Sequence, residues 1–261
     1  HYRPDRFSGR GRSEADAPEF FLAANGATDP AAELAATLRA LFAPPDATGR
    51  DGAHPQCTFR ARHRWLREAL AIRPDELPEQ PCPAFAQWRA AINPSSVTLV
   101  FPEAYMNNPS SMFGHTLLRF DTIEAGRRRD LLAYAANFAA VTADDGAITF
   151  AWKGIFGYYP GLFSLMPYYE KVREYGDWEQ RDLWEYELDL DTAEIERLLE
   201  HLWEIRGIRF DYFFFDENCS YRLLRLLEVA RPTLQLTPRF RTWAIPADTV
   251  RAVARDAGLV R

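Results

Sequence analysis

The sequence predicts an α+β fold with mostly antiparallel strands. Three observations carry that expectation. The front third shows helical apolar periods separated by Pro-rich turns. The texture changes at Ser96, after which short runs of strand type recur. Two helical patterns with capping residues follow, opening at Thr192 and Cys219.

The first helix is expected over 29–41. Asp29 suits the N-cap and Pro30 the first turn, and Leu34, Leu38, Leu41 and Phe42 form a stripe at helical spacing. A Pro/Gly/Asp-rich loop follows, then a helix over 60–72 with Trp65, Leu66, Ala69 and Leu70 as its apolar face, then a short helix over 84–91. Strands are expected at 97–101, from His115 to Asp121, at 131–138, 148–152 and 183–190, and in the aromatic run 208–215. From His115 onward, Leu117, Arg119 and Asp121 share one face, and Thr116, Leu118 and Phe120 the other. Thr192 caps a helix reaching about Ile205, and another helix opens at Cys219 and stops at Pro232. The division this suggests is a helical N-terminal subdomain or extension, 1–95, followed by a catalytic core, 96–261.

Composition narrows the function classes. The 261 residues are 47% hydrophobic, 26% charged and 14% aromatic, which excludes a disordered or collagen-like chain. A net charge of -6 argues against a nucleic-acid partner. All the basic residues are Arg except Lys153 and Lys171. No apolar run reaches the roughly 18 residues a membrane-spanning helix needs. The chain opens at His1 on a polar stretch and reads as a processed or excised piece of something longer.

Cys57 and Cys82 lie in the Pro-rich front third, and no Cys/His cluster has zinc spacing. They read as a disulfide, which implies an oxidising compartment; the alternative is two buried thiols. That leaves Cys219 apart. Asp216 and Asn218 are good N-cap types, so Cys219 falls in the first helical turn, where unpaired N–H groups and the helix dipole stabilise a thiolate. The alternative is a small buried residue packing the helix start.

His115 is the natural base for such a thiol. Gly114 before it permits close approach of backbone or ligand. His54 falls in a flexible loop, and His63 and His201 sit among charged neighbours where a solvated role is the default. A thiolate nucleophile needs a proton acceptor and donor, so the Cys219–His115 pair is stronger than either member. Asn137 is the best candidate to orient the imidazole if its strand lies beside that of His115; Asp121 and Tyr134 are weaker. The Cys219 backbone N–H is an oxyanion donor by position, with Tyr105, Asn107, Asn108 and Asn218 as further candidates. No metal site and no cofactor is expected.

Residues 150–169 hold eight aromatics in twenty positions and one charge, Lys153. Three Gly and two Pro argue against a long regular helix. Trp152, Phe156, Tyr158, Tyr159 and Phe163 form either a core-covering loop, a membrane-interface surface or an acyl-chain groove.

The segments NPSSMFGHTLLRF (108–120) and DENCSYRLLRLLE (216–228) resemble the two signature motifs of the Lnb N-terminal periplasmic domain family. AWKGIFGYYPGLFSLMPYYEKVREY, RDLWEYELDL and CTFRARHRWL are similar to that family as well. The resemblance implies a permuted papain-like core, of the kind in NlpC peptidases and lecithin:retinol acyltransferase, with a His on a strand preceding a Cys at a helix start. It implies acyl transfer from a phospholipid, through a Cys219 thioester with His115 as base, to the α-amino group of a diacylglyceryl-cysteine lipoprotein. It also implies the bacterial periplasm or envelope, at a membrane surface, with a membrane attachment in the full-length protein. Two alternatives remain beside it. One is a papain-like thiol hydrolase acting on peptidoglycan as peptidase or amidase, which fits poorly with a long apolar wall. The other is a non-catalytic lipid- or lipoprotein-binding module.

Overall fold

A computed structural model describes residues 2–4, 11–103, 114–124, 127–128, 130–142, 147–173, 182–240, 242–256 and 258–261. Two compact units divide the chain: His1–Ala90 with Leu199–Phe210, and Ala91–Leu198 with Asp211–Arg261. The assignment of Leu199–Phe210 to the first unit rests on long-range contacts that the linear sequence does not display.

The first unit contains strands β1 (Tyr2–Pro4) and β2 (Gly11–Ser13) and helices α1 (Pro30–Leu41), α2 (Pro55–Thr58), α3 (Arg60–Ala69) and α4 (Pro83–Ile92). Asp29 caps α1 as its sequence suggests, its side chain accepting from the N–H groups of Ala31 at 3.1 Å and Ala32 at 2.9 Å. Leu41, Leu66 and Leu77 form an apolar cluster with Leu38 and Ile72 packed against it. The Cys57–Cys82 disulfide is formed. Beside it, Trp203 Nε1 donates to the Cys57 carbonyl at 2.8 Å.

Helix α3 corrects the sequence reading. Trp65 is 60% exposed and Leu70 is exposed as well, whereas His63 is buried. Leu66 is buried as expected, but the rest of the inner face is polar because carboxylates distant in sequence receive it. Arg62 bonds Glu33 at 2.5 Å and Glu204 at 2.6 Å, and Arg64 bonds Glu200 at 2.5 Å. His201, like His63, is buried where a solvated role was expected, and His54, expected in a flexible loop, is buried as well. The His54 side chain accepts from the Gln56 N–H and caps α2.

The second unit continues with β3 (Ser96–Pro102), β4 (Leu117–Asp121), β5 (Ile123–Glu124), β6 (Arg127–Arg128), β7 (Tyr134–Ala140), α5 (Ala147–Phe156), β8 (Tyr159–Pro167), α6 (Tyr168–Val172) and β9 (Leu183–Leu188). Then come α7 (Thr192–Glu204), which passes into the first unit at Leu199, β10 (Phe210–Tyr212), which returns from it at Asp211, α8 (Cys219–Ala230) and α9 (Pro246–Arg255). A six-stranded sheet runs in the order β10-β8-β7-β4-β3-β9. The pairs β3–β4, β3–β9, β4–β7 and β7–β8 are all antiparallel, as the sequence predicts for the class. Strand β4 is buried along its whole length. Val100, Leu117, Ala133, Ala135 and Tyr168 form a core cluster on the sheet, and α8 packs on β4 and β7.

The strand expected at 148–152 is part of helix α5, and β8 follows where a loop was expected. Gly154 explains the helix. A Cβ there would lie 2.3 Å from the Phe214 ring, so the glycine lets that ring lie directly on the helix backbone. Phe214 N–H then donates to the Gly154 carbonyl at 2.9 Å. Tertiary packing on a bare backbone face overrides the helix penalty of glycine.

Candidate functional site

Strand β4 and helix α8 bring the two signature segments together. Asn218 takes the N-cap of α8: its side chain accepts from Ser220 N–H at 3.1 Å and Tyr221 N–H at 3.3 Å. Its amide nitrogen donates to the carbonyls of Phe214 at 3.0 Å and Ala244 at 2.7 Å. Both amide protons are therefore committed. The Asn218 side chain is a cap and an anchor, with no donor left for an oxyanion, which corrects that expectation. Tyr105, Asn107 and Asn108 lie outside the described residues. The Cys219 N–H sits at the first helical position, where a helix offers it no carbonyl of its own.

His115 stands just before β4. Gly114 has φ +88°, and a Cβ there would meet the Phe101 ring at 2.6 Å. The close approach expected at this glycine is thus made by a ring of β3, and it turns the chain into the strand. The register pairs Leu117 with Asn137. That places Asn137 one diagonal step from His115 across the β4–β7 pair. His115 Nε2 and Asn137 Oδ1 are 2.5 Å apart. The other ring nitrogen, Nδ1, is left to face the thiol. Asn137 is buried.

The alternative orienting residues are placed elsewhere. Asp121 accepts from Arg119 Nε and from Thr98 Oγ1, each at 2.5 Å. Tyr134 pairs with Phe120, toward the opposite end of β4. Arg119 also pairs with Glu185 of β9 and stacks 4.8 Å from the Tyr168 ring. That cluster, centred on the buried Arg119 and Asp121, fixes β4 against its neighbours.

The electrostatics of Cys219 and His115 are coupled. Burial pushes the Cys219 thiol up, but the charge of His115, a hydrogen bond with it and contacts from Thr116 bring it down, and the net shift is downward. Burial pushes His115 down; the charge of Cys219 and hydrogen bonds with Cys219 and Asn137 outweigh that, and the net shift is upward, although Lys171 of α6 opposes it. Both shifts favour a thiolate–imidazolium pair. Thr116 and Lys171 were not singled out from sequence. Thr116 borders His115 in the signature segment, and Lys171 is one of two lysines in an Arg-rich chain; neither signal is strong.

The aromatic segment splits in two. Trp152, Phe156 and Tyr158 are 59%, 50% and 67% exposed, whereas Tyr159 is buried. Phe163 packs on Phe138 with ring centroids 4.8 Å apart. Trp152 and Phe156 lie together, 4.2 Å between centroids, on the outer face of α5. The five residues expected to form one lipid-facing set do not share one surface.

An antiparallel α+β domain that sets an imidazole between an asparagine and a helix-start cysteine is the class these features define. The chain belongs to the Lnb N-terminal periplasmic domain family, whose model matches residues 84–256. Residues 1–69 match a domain of unknown function, DUF7843. No curated protein and no solved structure matches the chain. A periplasmic family agrees with the disulfide, because the periplasm is oxidising. Among the described residues, no helix is long and apolar enough to cross a membrane.

Proposed function

We propose that this domain is a cysteine-dependent acyltransferase that moves an acyl chain from a phospholipid to the α-amino group of a bacterial lipoprotein. The observation that carries the reading is the alignment of Cys219, His115 and Asn137, with the sulfur at a helix start and its pKa lowered. The order of His on a strand edge before Cys at a helix start is that of a permuted papain-like core.

In the first step the Cys219 thiolate attacks the ester carbonyl, and the tetrahedral oxyanion forms against the Cys219 N–H. Collapse breaks the ester C–O bond. His115 gives its proton to the departing lysophospholipid oxygen, leaving a thioester. In the second step the amine of the diacylglyceryl-cysteine attacks the thioester carbonyl. His115 takes the amine proton and returns it to the leaving sulfur, so the thiol is regenerated and an N-acyl lipoprotein departs. Asn137 keeps the ring in position through both steps.

The exposed aromatic face of α5 supports a lipid surface as partner. Large rings point outward while Gly154 lies inward, the reverse of an ordinary surface helix. Trp and Tyr are at home at the headgroup level of a bilayer. Phe214 packs against α5 and precedes Cys219 by a few residues, so this face is tied to the nucleophile's segment. The full-length protein carries a membrane attachment in this reading.

Intact-mass spectrometry after incubation with phospholipid vesicles tests it. The wild-type protein should gain an acyl-sized, hydroxylamine-labile adduct that Cys219→Ala lacks. Added diacylglyceryl lipopeptide should remove the adduct and gain the acyl chain as an amide. A chain that never acquires the adduct, in its membrane-attached form, overturns the reading.

A further inference from the structure

Thr116 lies between His115 and β4. Its side chain is 1% exposed, and Oγ1 is buried with no hydrogen-bond partner. A buried hydroxyl without an acceptor is unfavourable, and such orphans in a site ask for an explanation. The neighbour able to accept is the Cys219 sulfur, which Thr116 approaches with its backbone N–H as well as its side chain. A neutral thiol is a poor acceptor, whereas an ionised sulfur accepts a strong, charge-assisted hydrogen bond. The hydroxyl therefore gains a partner when the thiol loses its proton to His115.

We propose that the Thr116 hydroxyl donates to the ionised Cys219 sulfur and thereby holds the nucleophile as a thiolate before attack. This rests on the reading of Cys219 as the nucleophile. The charged group acting on the sulfur is His115, from the segment before β4, itself opposed by Lys171 of α6; Asp216 and Glu217 precede Cys219 in the chain, and Glu217 is paired with Arg222. None of them is altered by removing the hydroxyl, so a change in thiol ionisation reports on Thr116 itself.

The experiment is the iodoacetamide alkylation rate of Cys219 as a function of pH, read by mass spectrometry, in the wild type, Thr116→Val and Thr116→Ser. Circular dichroism monitors the fold; if Thr116→Val does not fold, Thr116→Ala takes its place. The Val profile should move to higher pH, with a roughly tenfold lower rate at neutral pH, while Ser keeps the wild-type profile. A folded Val variant with an unchanged profile overturns the proposal, and so does a Ser variant shifted as far as Val, which would mark a packing role. A wild-type Cys219 that alkylates slowly across the whole pH range overturns the nucleophile reading and this proposal together. A fast wild type with no Val effect removes only the second.

Discussion

His115 Nε2 lies 2.5 Å from Asn137 Oδ1, reached diagonally across the β4–β7 pair. The contact decides which ring nitrogen faces Cys219, because the imidazole has only two and one is taken. It also raises the His115 pKa, so it helps the base hold the proton it removes from the thiol. Asn137→Ala frees the ring to rotate and lowers its basicity. The expected outcome is a folded protein whose Cys219 alkylates roughly tenfold more slowly at neutral pH. Alkylation at the wild-type rate would show that the contact orients nothing.

The pair should also be visible from the histidine side. Burial is the largest influence on His115 and acts downward; the charge of Cys219 is the largest opposing one. Cys219→Ala removes that charge, so the His115 pKa should fall in the variant. The sign for stability follows. The raised His115 pKa gives a contribution present at low pH and lost as pH rises through it; the lowered Cys219 pKa gives one lost as pH falls through it. The pair's stabilisation is largest where both charges coexist, thiolate with imidazolium, and is lost on either side as one of the two charges is lost. A histidine NMR titration checks the shift, and an unmoved His115 resonance would contradict the coupling.

How much of this was legible in the sequence depends on where the information sits. Asn218 and Asp29 are local caps, so α8 and α1 begin where the chain says they do. The alternation after His115 and the antiparallel class are likewise local. Helix α5 was not legible, because its apolar run fits strand or helix equally and Phe214, which decides between them, comes much later in the chain. The polar part of α3's buried face was missed for the same reason, although Leu66 was read correctly: Glu200 and Glu204, which receive its arginines, belong to a distant helix. The Cys–His site was readable because each half carries its own local signature; Thr116 was not, since an unpaired hydroxyl exists only in three dimensions.

The outer face of α5 makes a separate prediction. Trp152 and Phe156 pack on each other at a tilt in solvent, so removing them leaves little cavity behind. Trp152→Ala combined with Phe156→Ala should fold normally and keep the Cys219 alkylation rate. Co-sedimentation with phosphatidylethanolamine-containing vesicles should weaken at least tenfold, since each ring buried in lipid is worth about 1.5–3 kcal/mol. Undiminished vesicle binding in the double variant would remove α5 as the seating surface.

The last prediction concerns acid stability in the first unit. His63 is buried, and its Nε2 has no hydrogen-bond partner. Around it runs a cavity of about 410 Å³ with Arg60, Arg64, Arg67, Glu79 and Glu200 among its lining residues. Burial first, then the charge of Arg60, lowers the His63 pKa from 6.5 to about 4, with Glu79 opposing. The folded protein thus holds His63 neutral where the unfolded chain would protonate it. Because the unfolded state binds the extra proton, stability rises with pH through this window. The contribution is present above pH 6.5 and is lost as pH falls toward about 4. Urea midpoints measured across that range should drop faster in the wild type than in His63→Gln, whose side chain does not titrate. Carboxylates titrate in the same window, but they are common to both proteins, so the difference between the two curves belongs to His63. Parallel curves would mean that the imidazole meets its proton as easily inside the fold as outside it.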